Sequence, residues 1–491
     1  MIISDQLNPR VIGKYKEFYD FSHLEADVTP NIDNLAENGV LFESVYTPTP
    51  LCRPARAAFW TGLFPHQTNV FTNGKMFKDP KVKSDVPSVG SVFSQHGYET
   101  KHIGKRHDHG ALHGFDYSLY GSKKVDEEHP AWPVNQDTYR DVYTTKKSVD
   151  FLNEYPEDGN PFFLVSDLCN PHNICGWVGE NKGPHDDIDP PIELPPLPDN
   201  FEIDDIENRP EAIQYICCSH RRMKQASQWA KENYRHYLAA YLHYTQRLDR
   251  DVGEILEALE KRGDMDNTLI IFMADHGDGC ASHRLVTKQV SLYDETTRVP
   301  MIVMGKGIEE KGKKVSERLV SLLDLFPTLC EYADIDPPKE FWGKSILPWT
   351  TKNGEGKENC DHPYVVSQWH SEWGFTISPG RMIRTQDFKY IRYIENGDEE
   401  LYDMKNDPGE TKNLADENGY EDILKRHRIL LDEYLEKTED PFFRMKARVD
   451  KRWRSHELGY MNHEGSCAPG YKKWLRLFKR KKRLSLKPKK E

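Results

Sequence analysis

Four short apolar runs, each closed by ionisable side chains and separated from the next by helical patterns, constrain this chain more than any other feature. Met1-Ile2-Ile3 leads into Asp5, and Glu99 to Ile103 leads into Gly104-Lys105-Arg106-His107. Pro161 to Ser166 leads into Asn170-Pro171-His172, and Thr268 to Ala274 leads into Asp275-His276-Gly277-Asp278-Gly279. Strands alternating with helices build an α/β fold, a large and mainly parallel sheet flanked by helices. In such sheets ligands bind beyond the carboxyl ends of the strands. The four polar groups are therefore expected along one edge of one sheet. Chance places one or two groups there; four together mark a site.

The intervening segments carry helix signals. Thr29-Pro30-Asn31 reads as an N-cap with Pro at the first position, and Gly39 closes that helix. Ser88 to His96, Asp141 to Tyr155 and Leu322 to Ala333 read as further helices, and Gln225 to Arg262 as one long helix or a helix pair stopped by Gly263. Pro300 to Met304 adds a strand, while the Pro- and Asp-rich stretch from Gly183 to Asn208 reads as a surface excursion. Pro348 to Pro363 is polar and reads as a linker. Beyond it, Tyr364 to Gln368, Arg384 to Ile394 and Glu399 to Tyr402 are expected as short antiparallel strands, with a helix from Glu421 to Glu436. The expected division is a catalytic domain over 1–350, a smaller α+β subdomain over 351–470 and a basic tail over 471–491.

Between the first two runs lies Cys52-Arg53-Pro54-Ala55-Arg56, followed by Ala57-Ala58-Phe59-Trp60-Thr61-Gly62. Pro54 suits the first turn of a helix and Gly62 its left-handed end. Cys52 then stands at the helix N-terminus, where free N–H groups and the dipole favour an anion. Arg56 is four residues on and shares its face. The alternative for this stretch by itself is a buried cysteine at a helix start.

The chain has 491 residues, which exceeds one ordinary core and favours two domains. Its mean hydropathy is −0.77, yet it holds 10 Trp, 24 Tyr and 21 Phe, a globular composition with a solvated surface. No apolar run is long enough to cross a bilayer. Net charge is −12, but Tyr471 to Glu491 carries eleven Lys/Arg and one Glu, leaving −22 on the rest. Such a tail suits a polyanion, or is a solvated terminus. The nine cysteines show no C-x-x-C spacing, so no zinc framework is implied. No leader pattern stands at the start, so either the chain is cytosolic or a leader lies outside this sequence.

Asp5, Asp275 and His276 form a candidate site for a hard cation such as Ca²⁺ or Mg²⁺. A lone Asp after a strand is commonly a cap or turn residue; the Asp-His-Gly-Asp-Gly run is harder to dismiss, because charges closing a buried strand need a partner. Arg56, Lys105 and Lys288 are cations aimed at the same place, suited to an ester whose leaving oxygen gains charge. His107 and His172 are candidate general acid and base, though a His after Asn-Pro also suits a turn.

With these motifs in order, the chain resembles the type I, formylglycine-dependent sulfatases of the alkaline-phosphatase-like superfamily, from Met1 to about Ala415. The resemblance rests on Ser4-Asp5-Gln6, Thr29-Pro30-Asn31-Ile32-Asp33, the Cys52 motif, Gly104-Lys105-Arg106-His107, Asn170-Pro171-His172, Asp275-His276-Gly277-Asp278 and Lys288, with Leu401-Tyr402-Asp403 and Asp407-Pro408-Gly409-Glu410 further on. It implies that Cys52 is converted to formylglycine (3-oxoalanine) by a maturation enzyme, and that Asp5, Asp275, His276 and that residue hold one Ca²⁺. It further implies attack of the hydrated aldehyde on sulfur, with Arg56 and Lys105 stabilising nucleophile and sulfate. His172 and Lys288 would serve the leaving oxygen, and His107 the collapse of the sulfated hemiacetal.

Ser4 replaces a frequent second Asp, Ala55 a common Ser, Arg106 a frequent Trp and Arg284 a usual Gly. His283 and Arg284 are taken as candidate substrate contacts, with Arg106 and Arg284 suited to an acidic sugar. The expected substrate is a sulfated carbohydrate of algal or glycosaminoglycan type; no nucleic acid partner is expected. The family suggests a periplasmic or secreted location. The alternatives are a phosphodiesterase or phosphonate monoester hydrolase using the same site, and a non-catalytic polyanion-binding protein.

Overall fold

The computed structural model describes the chain except for residues 16–27, 74–79, 120–135, 181–193, 202–208, 211, 214–219, 227–228, 289–290, 353–360, 371–375, 378, 395–396, 446–447 and 450–491. The basic tail and the centre of the linker therefore lie outside the described residues, as does most of the expected surface excursion.

The large sheet is built from β1 (Ile2–Asp5), β2 (Gly39–Tyr46), β3 (Glu99–Gly104), β4 (Asp116–Leu119), β5 (Phe162–Pro171), β6 (Leu269–Ala274), β7 (Arg298–Gly305), β8 (Lys313–Val315) and β9 (Val320–Ser321). Their spatial order is β4-β3-β5-β1-β6-β7-β2-β8, with β9 beside β2. Pairings are parallel except where β7 meets β6 and β2. The mainly parallel α/β sheet expected from the sequence is thus present. Its central strands are covered on both faces, which explains their nearly continuous apolar runs. Ile3, Phe272 and Met273 are fully buried, each contributing roughly 1.5–3 kcal/mol of burial free energy.

Helix α1 (Pro30–Asn38) forms where expected but is capped differently. The Thr29 hydroxyl accepts from Gly13 N at 3.0 Å and makes no cap bond to α1. The cap comes from Asp249, whose carboxylate accepts the backbone N–H groups of Asn31 and Ile32 at 3.2 and 2.9 Å. Helix α2 (Cys52–Thr61) ends at Gly62, whose φ of 65° and close approach to Phe341 leave no room for a Cβ. The Gln225–Arg262 pattern resolves into a short helix over Arg221–Ala226 and the 32-residue helix α3 (Lys231–Arg262). Buried Tyr237, Leu238, Tyr241, Leu242, Thr245, Leu248 and Val252 repeat along α3 at three- and four-residue spacing, and the helix packs on β5 of the sheet.

A second, antiparallel sheet follows, made of β10 (Val365–His370), β12 (Pro379–Arg384), β13 (Phe388–Tyr393) and β14 (Glu399–Asp403), with β11 (Thr376–Ile377) pairing apart from it with β15 (Arg448–Val449). The strand expected over Arg384–Ile394 is β13, which begins at Phe388; Arg384 itself ends β12, the partner strand that the sequence did not reveal. Thr385 turns the chain, its N–H and hydroxyl both donating to Phe388 O at 2.9 and 3.0 Å. Pro379 occupies the first position of β12, where a missing donor is tolerated, so Pro-Gly here opens a strand rather than a loop. Helix α4 (Glu421–Lys437) covers this sheet with Leu424, Leu431 and Tyr434. The same apolar cluster includes Ala58, Phe64 and Leu323, so the second sheet is seated against α2 and its neighbours.

Candidate active site

Strands β5, β1 and β6 run side by side and parallel, and their registers pair Asp5 with Pro171 and Ser4 with Ala274. Asp5 is the last residue of β1, and Asp275 and His276 follow β6 at once. Lys105 follows β3 and His172 follows β5. The four polar groups foreseen along one edge do lie along one edge.

Helix α2 brings Cys52 into their midst. Its Sγ lies 3.1 Å from His276 Nε2, 2.9 Å from Lys288 Nζ and 3.6 Å from Asp5 Oδ1. All four residues are buried. Burial raises the pKa of the Cys52 thiol, with Lys288 pulling the other way, so the thiol is not held as a ready thiolate. Arg56, one turn along α2, donates from Nε to Asp275 Oδ2 at 2.9 Å and from Nη1 to Asp167 Oδ2 at 2.5 Å. Lys105 pairs with Asp5 Oδ2.

The electrostatics follow from burial among cations. Burial opposes ionisation of Asp275, but the cations Arg56, Lys105 and Lys288 outweigh it and hold the carboxyl below its usual range. His276 Nδ1 lies 2.9 Å from Gly277 O; a carbonyl only accepts, so Nδ1 carries the proton and Nε2 offers its lone pair to the site. Burial pushes this imidazole down to about 3, keeping it neutral. His107 and His172 line the rim, half-buried. Burial, then Lys105 and Arg53, lowers His107 well below the ordinary value; burial, then Lys288, Lys105 and Arg222, does the same for His172.

A second layer holds these groups in place. Gln6, turned by a φ of 69°, donates its backbone N–H to Asp275 Oδ1 at 3.1 Å and its amide to Asp278 Oδ2 at 2.6 Å. Asp278 also accepts from Tyr237 of α3 and from Cys280 N, which makes it a support for Gln6. The Ser4 hydroxyl donates to Asn170 O at 2.8 Å, tying β1 to the end of β5.

His283 and Arg284 stand apart from this cluster. His283 is buried, with Nδ1 2.7 Å from Arg209 Nη2. A guanidinium only donates, so Nδ1 is the accepting nitrogen. The Arg284 guanidinium lies 5.3 Å over the Phe201 ring. Conversely, sequence reasoning missed Asp167, a fully buried partner of both Arg56 and His102. The expected strand stopped at Ser166, whereas β5 runs on to Pro171. The missed signal was an acid inside an otherwise apolar strand run.

One carboxylate oxygen each from Asp5 and Asp275, a His276 nitrogen and Cys52 Sγ all fall within 4.8 Å of one another. Two carboxylates and a neutral imidazole suit a divalent cation. A thiol is a soft partner for a hard ion, and an oxygen at that position completes an oxygen-rich set. The residues present therefore fit a hard cation best once Cys52 carries oxygen.

Comparison with known proteins is consistent along most of the chain. Residues 2–335 match the family model described as Sulfatase, and residues 281–437 match N-sulphoglucosamine sulphohydrolase, C-terminal. The chain is 46% identical over 469 residues to a Delta 4,5-hexuronate-2-O-sulfatase of Bacteroides thetaiotaomicron, covering 95% of each. It is 29% identical over 433 residues to Arylsulfatase K of Homo sapiens, covering 79% of this chain and 74% of the other. A solved structure of a 2-O GAG sulfatase superposes with a TM-score of 0.84 at 46% identity, covering 95% and 98% of the two chains. A phosphonate monoester hydrolase of Agrobacterium radiobacter shares the fold, with a TM-score of 0.64 at 19% identity over 90% and 96%. Family model, relatives and fold agree on one conclusion: this chain belongs to the sulfatase family and is a sulfuric ester hydrolase.

Proposed function

We propose that this sulfatase removes a 2-O-sulfate from a hexuronate residue of a glycosaminoglycan-type oligosaccharide, using a formylglycine made from Cys52 and one divalent cation, Ca²⁺. The observation that carries the chemistry is the convergence of Lys288, His276 and Asp5 on Cys52 Sγ. The substrate is carried by the 46% identity to the hexuronate-2-O-sulfatase over 95% of both chains.

Asp5, Asp275 and His276, with the oxygen-bearing residue 52, would hold the cation, which when bound acts as a Lewis acid on the sulfate and sharpens residue 52 as a nucleophile. Conversion of Cys52 to formylglycine supplies a hydrated aldehyde, whose hydroxyl is the attacking group toward sulfur. Arg56 and Lys105 then offer fixed donors to sulfate oxygens, at no reorganisation cost during the reaction. Lys288, an ammonium, is the acid that protonates the leaving sugar oxygen, and His172, held neutral by burial and these cations, orients that oxygen by a hydrogen bond. His107, kept neutral by burial and by Lys105, is the base that accepts a proton when sulfate is released.

An acidic sugar fits the rim. Arg53, directly after Cys52, is a cation at the positive end of α2, an unfavourable place for it in the free protein. Its Nε is buried without a hydrogen-bond partner among the described residues. Arg222 stands on the His172 side. Both suit a carboxylate or second sulfate beside the scissile one; His283 and Arg284, set back from the cluster, would act only through the loop they stabilise.

The test uses protein co-expressed with a formylglycine-generating enzyme, with residue 52 checked by mass spectrometry. Sulfate release is compared on an unsaturated 2-O-sulfated uronate disaccharide, on N- and 6-O-sulfated disaccharides and on a phosphodiester. Release confined to the 2-O-sulfate and abolished in Cys52→Ala is the expected result. Release from another position, or phosphate release alone, overturns it.

A further inference from the structure

Arg56 has three guanidinium nitrogens, and two are committed. Nε is held by Asp275 at 2.9 Å and Nη1 by Asp167 at 2.5 Å. The third, Nη2, is buried, has no hydrogen-bond partner among the described residues and lies 3.6 Å from Asp5 Oδ2. A planar fork whose first two prongs are pinned has its last prong aimed by geometry. Here it is aimed at the space shared by Asp5 and Cys52.

Asp275 is already committed to the candidate cation site, so the pin with no other duty there is Asp167. It sits within β5, fully buried, and its Oδ2 also accepts from His102 Nε2 at 3.2 Å. His102 is wedged edge-on against Trp60 and Phe115, which fixes its ring. The backbone of Asp167 holds a second cation: its carbonyl accepts the N–H of Lys105 at 2.8 Å. That approach depends on Gly104, where φ is 110° and a Cβ would stand 2.1 Å from the same carbonyl oxygen. One residue therefore sets the side chain of Arg56 and the backbone of Lys105, the two cations nearest Asp5. Charge is balanced as well. Asp5, Asp167 and Asp275 face Arg56, Lys105 and Lys288 in the buried cluster. Neutralising Asp167 leaves that cluster one charge more positive.

We propose that Asp167, backed by His102, is a positioning residue of this sulfatase: it aims Arg56 Nη2 at the sulfate and supplies the third carboxylate that lets a divalent cation bind among three cationic side chains. This rests on the function proposed above. It touches neither substrate nor metal.

The test compares matured wild-type protein with Asp167→Asn, which keeps the volume and removes the charge. Expected are a kcat lower by roughly 10–100-fold with KM within about threefold, and calcium affinity reduced several-fold by calorimetry on metal-free protein. A purely structural role would lower the melting temperature but leave kcat per folded, converted molecule unchanged; kcat within twofold of wild type, with unchanged calcium affinity, overturns the proposal. If Asp167→Asn does not accumulate folded, His102→Phe removes the other donor to the same oxygen. About a threefold loss of kcat is then expected, and no loss overturns it. A wild-type protein that releases no sulfate from the 2-O-sulfated disaccharide refutes the proposed substrate instead, and calcium affinity still decides the role of Asp167.

Discussion

Lys288 Nζ lies 2.9 Å from Cys52 Sγ across 236 residues of chain, with both side chains buried. The pair brings an ammonium against the side chain proposed to become the nucleophile, in a site with little water to screen it. Lys288→Met is expected to keep the fold and lower kcat by about 10²–10³-fold, the scale of losing one fixed donor at a developing charge. Sulfate release under saturating substrate checks this, and a kcat within a few-fold of wild type would remove Lys288 from the mechanism.

The donor set ties the proposed metal affinity to residue 52. Calcium prefers oxygen, and Sγ is the one soft member of the group Asp5, Cys52, Asp275 and His276. Converted protein should bind Ca²⁺ more tightly than unconverted protein, with Cys52→Ser falling between them. Chelation should lower the melting temperature of converted protein, since a ligand of the native state stabilises it. Calorimetry and thermal melts on the three forms decide it; equal affinities would place the cation elsewhere.

Lys389 of β13 is fully buried between Asp294 and Glu410, 2.5 and 2.8 Å away. Burial raises Glu410 to about 8, while Lys389 and Arg298 overcome burial at Asp294 and hold it below its usual range. The shared ammonium favours the Asp294 carboxylate, while burial favours the neutral form of Glu410. Glu410→Gln should cost less than about 1 kcal/mol near pH 7, against roughly 3–5 kcal/mol for Asp294→Asn, which breaks the buried pair. The sign for Glu410 is explicit. Its folded pKa lies above the unfolded one, so its stabilisation is present below about 4.5 and is lost as pH rises toward about 8. Urea denaturation at pH 6 and pH 8.5 should show that slope in wild type and a flatter one in Glu410→Gln.

Acid should act on His283 in the opposite sense. Burial and then Arg209 hold its pKa down to about 3, against 6.5 for a free imidazole. Between those pH values the unfolded chain takes up a proton that the native chain refuses, so stability falls as pH drops below about 6.5. His283→Gln should flatten the acid limb by up to about 1.4 kcal/mol per pH unit. Denaturation at pH 7, 6 and 5 measures it; parallel curves for the two proteins would contradict the buried neutral state.

Much of this site could be read before any coordinates, and the reason is chain order. A parallel sheet puts the residues after its strands at one edge whatever the loops do, so Asp5, Lys105, His172, Asp275 and His276 are placed together by alternation alone. Helix α2 was equally legible, because Pro54 and Gly62 act locally on its ends. What distance in sequence hides is pairing. Nothing near Thr29 says that Asp249 caps α1 in its stead, and nothing near Arg384 says that Pro379 starts a strand that ends there. Asp167 shows the limit most clearly. A single acid within an apolar run reads as an interruption until β5, β3 and α2 are brought together, and only then are Arg56 and His102 seen to share its one oxygen. Local sequence determined the elements and the edge at which they end; desolvation in the assembled core, which obliges each buried charge to find a partner, decided which side chains meet there.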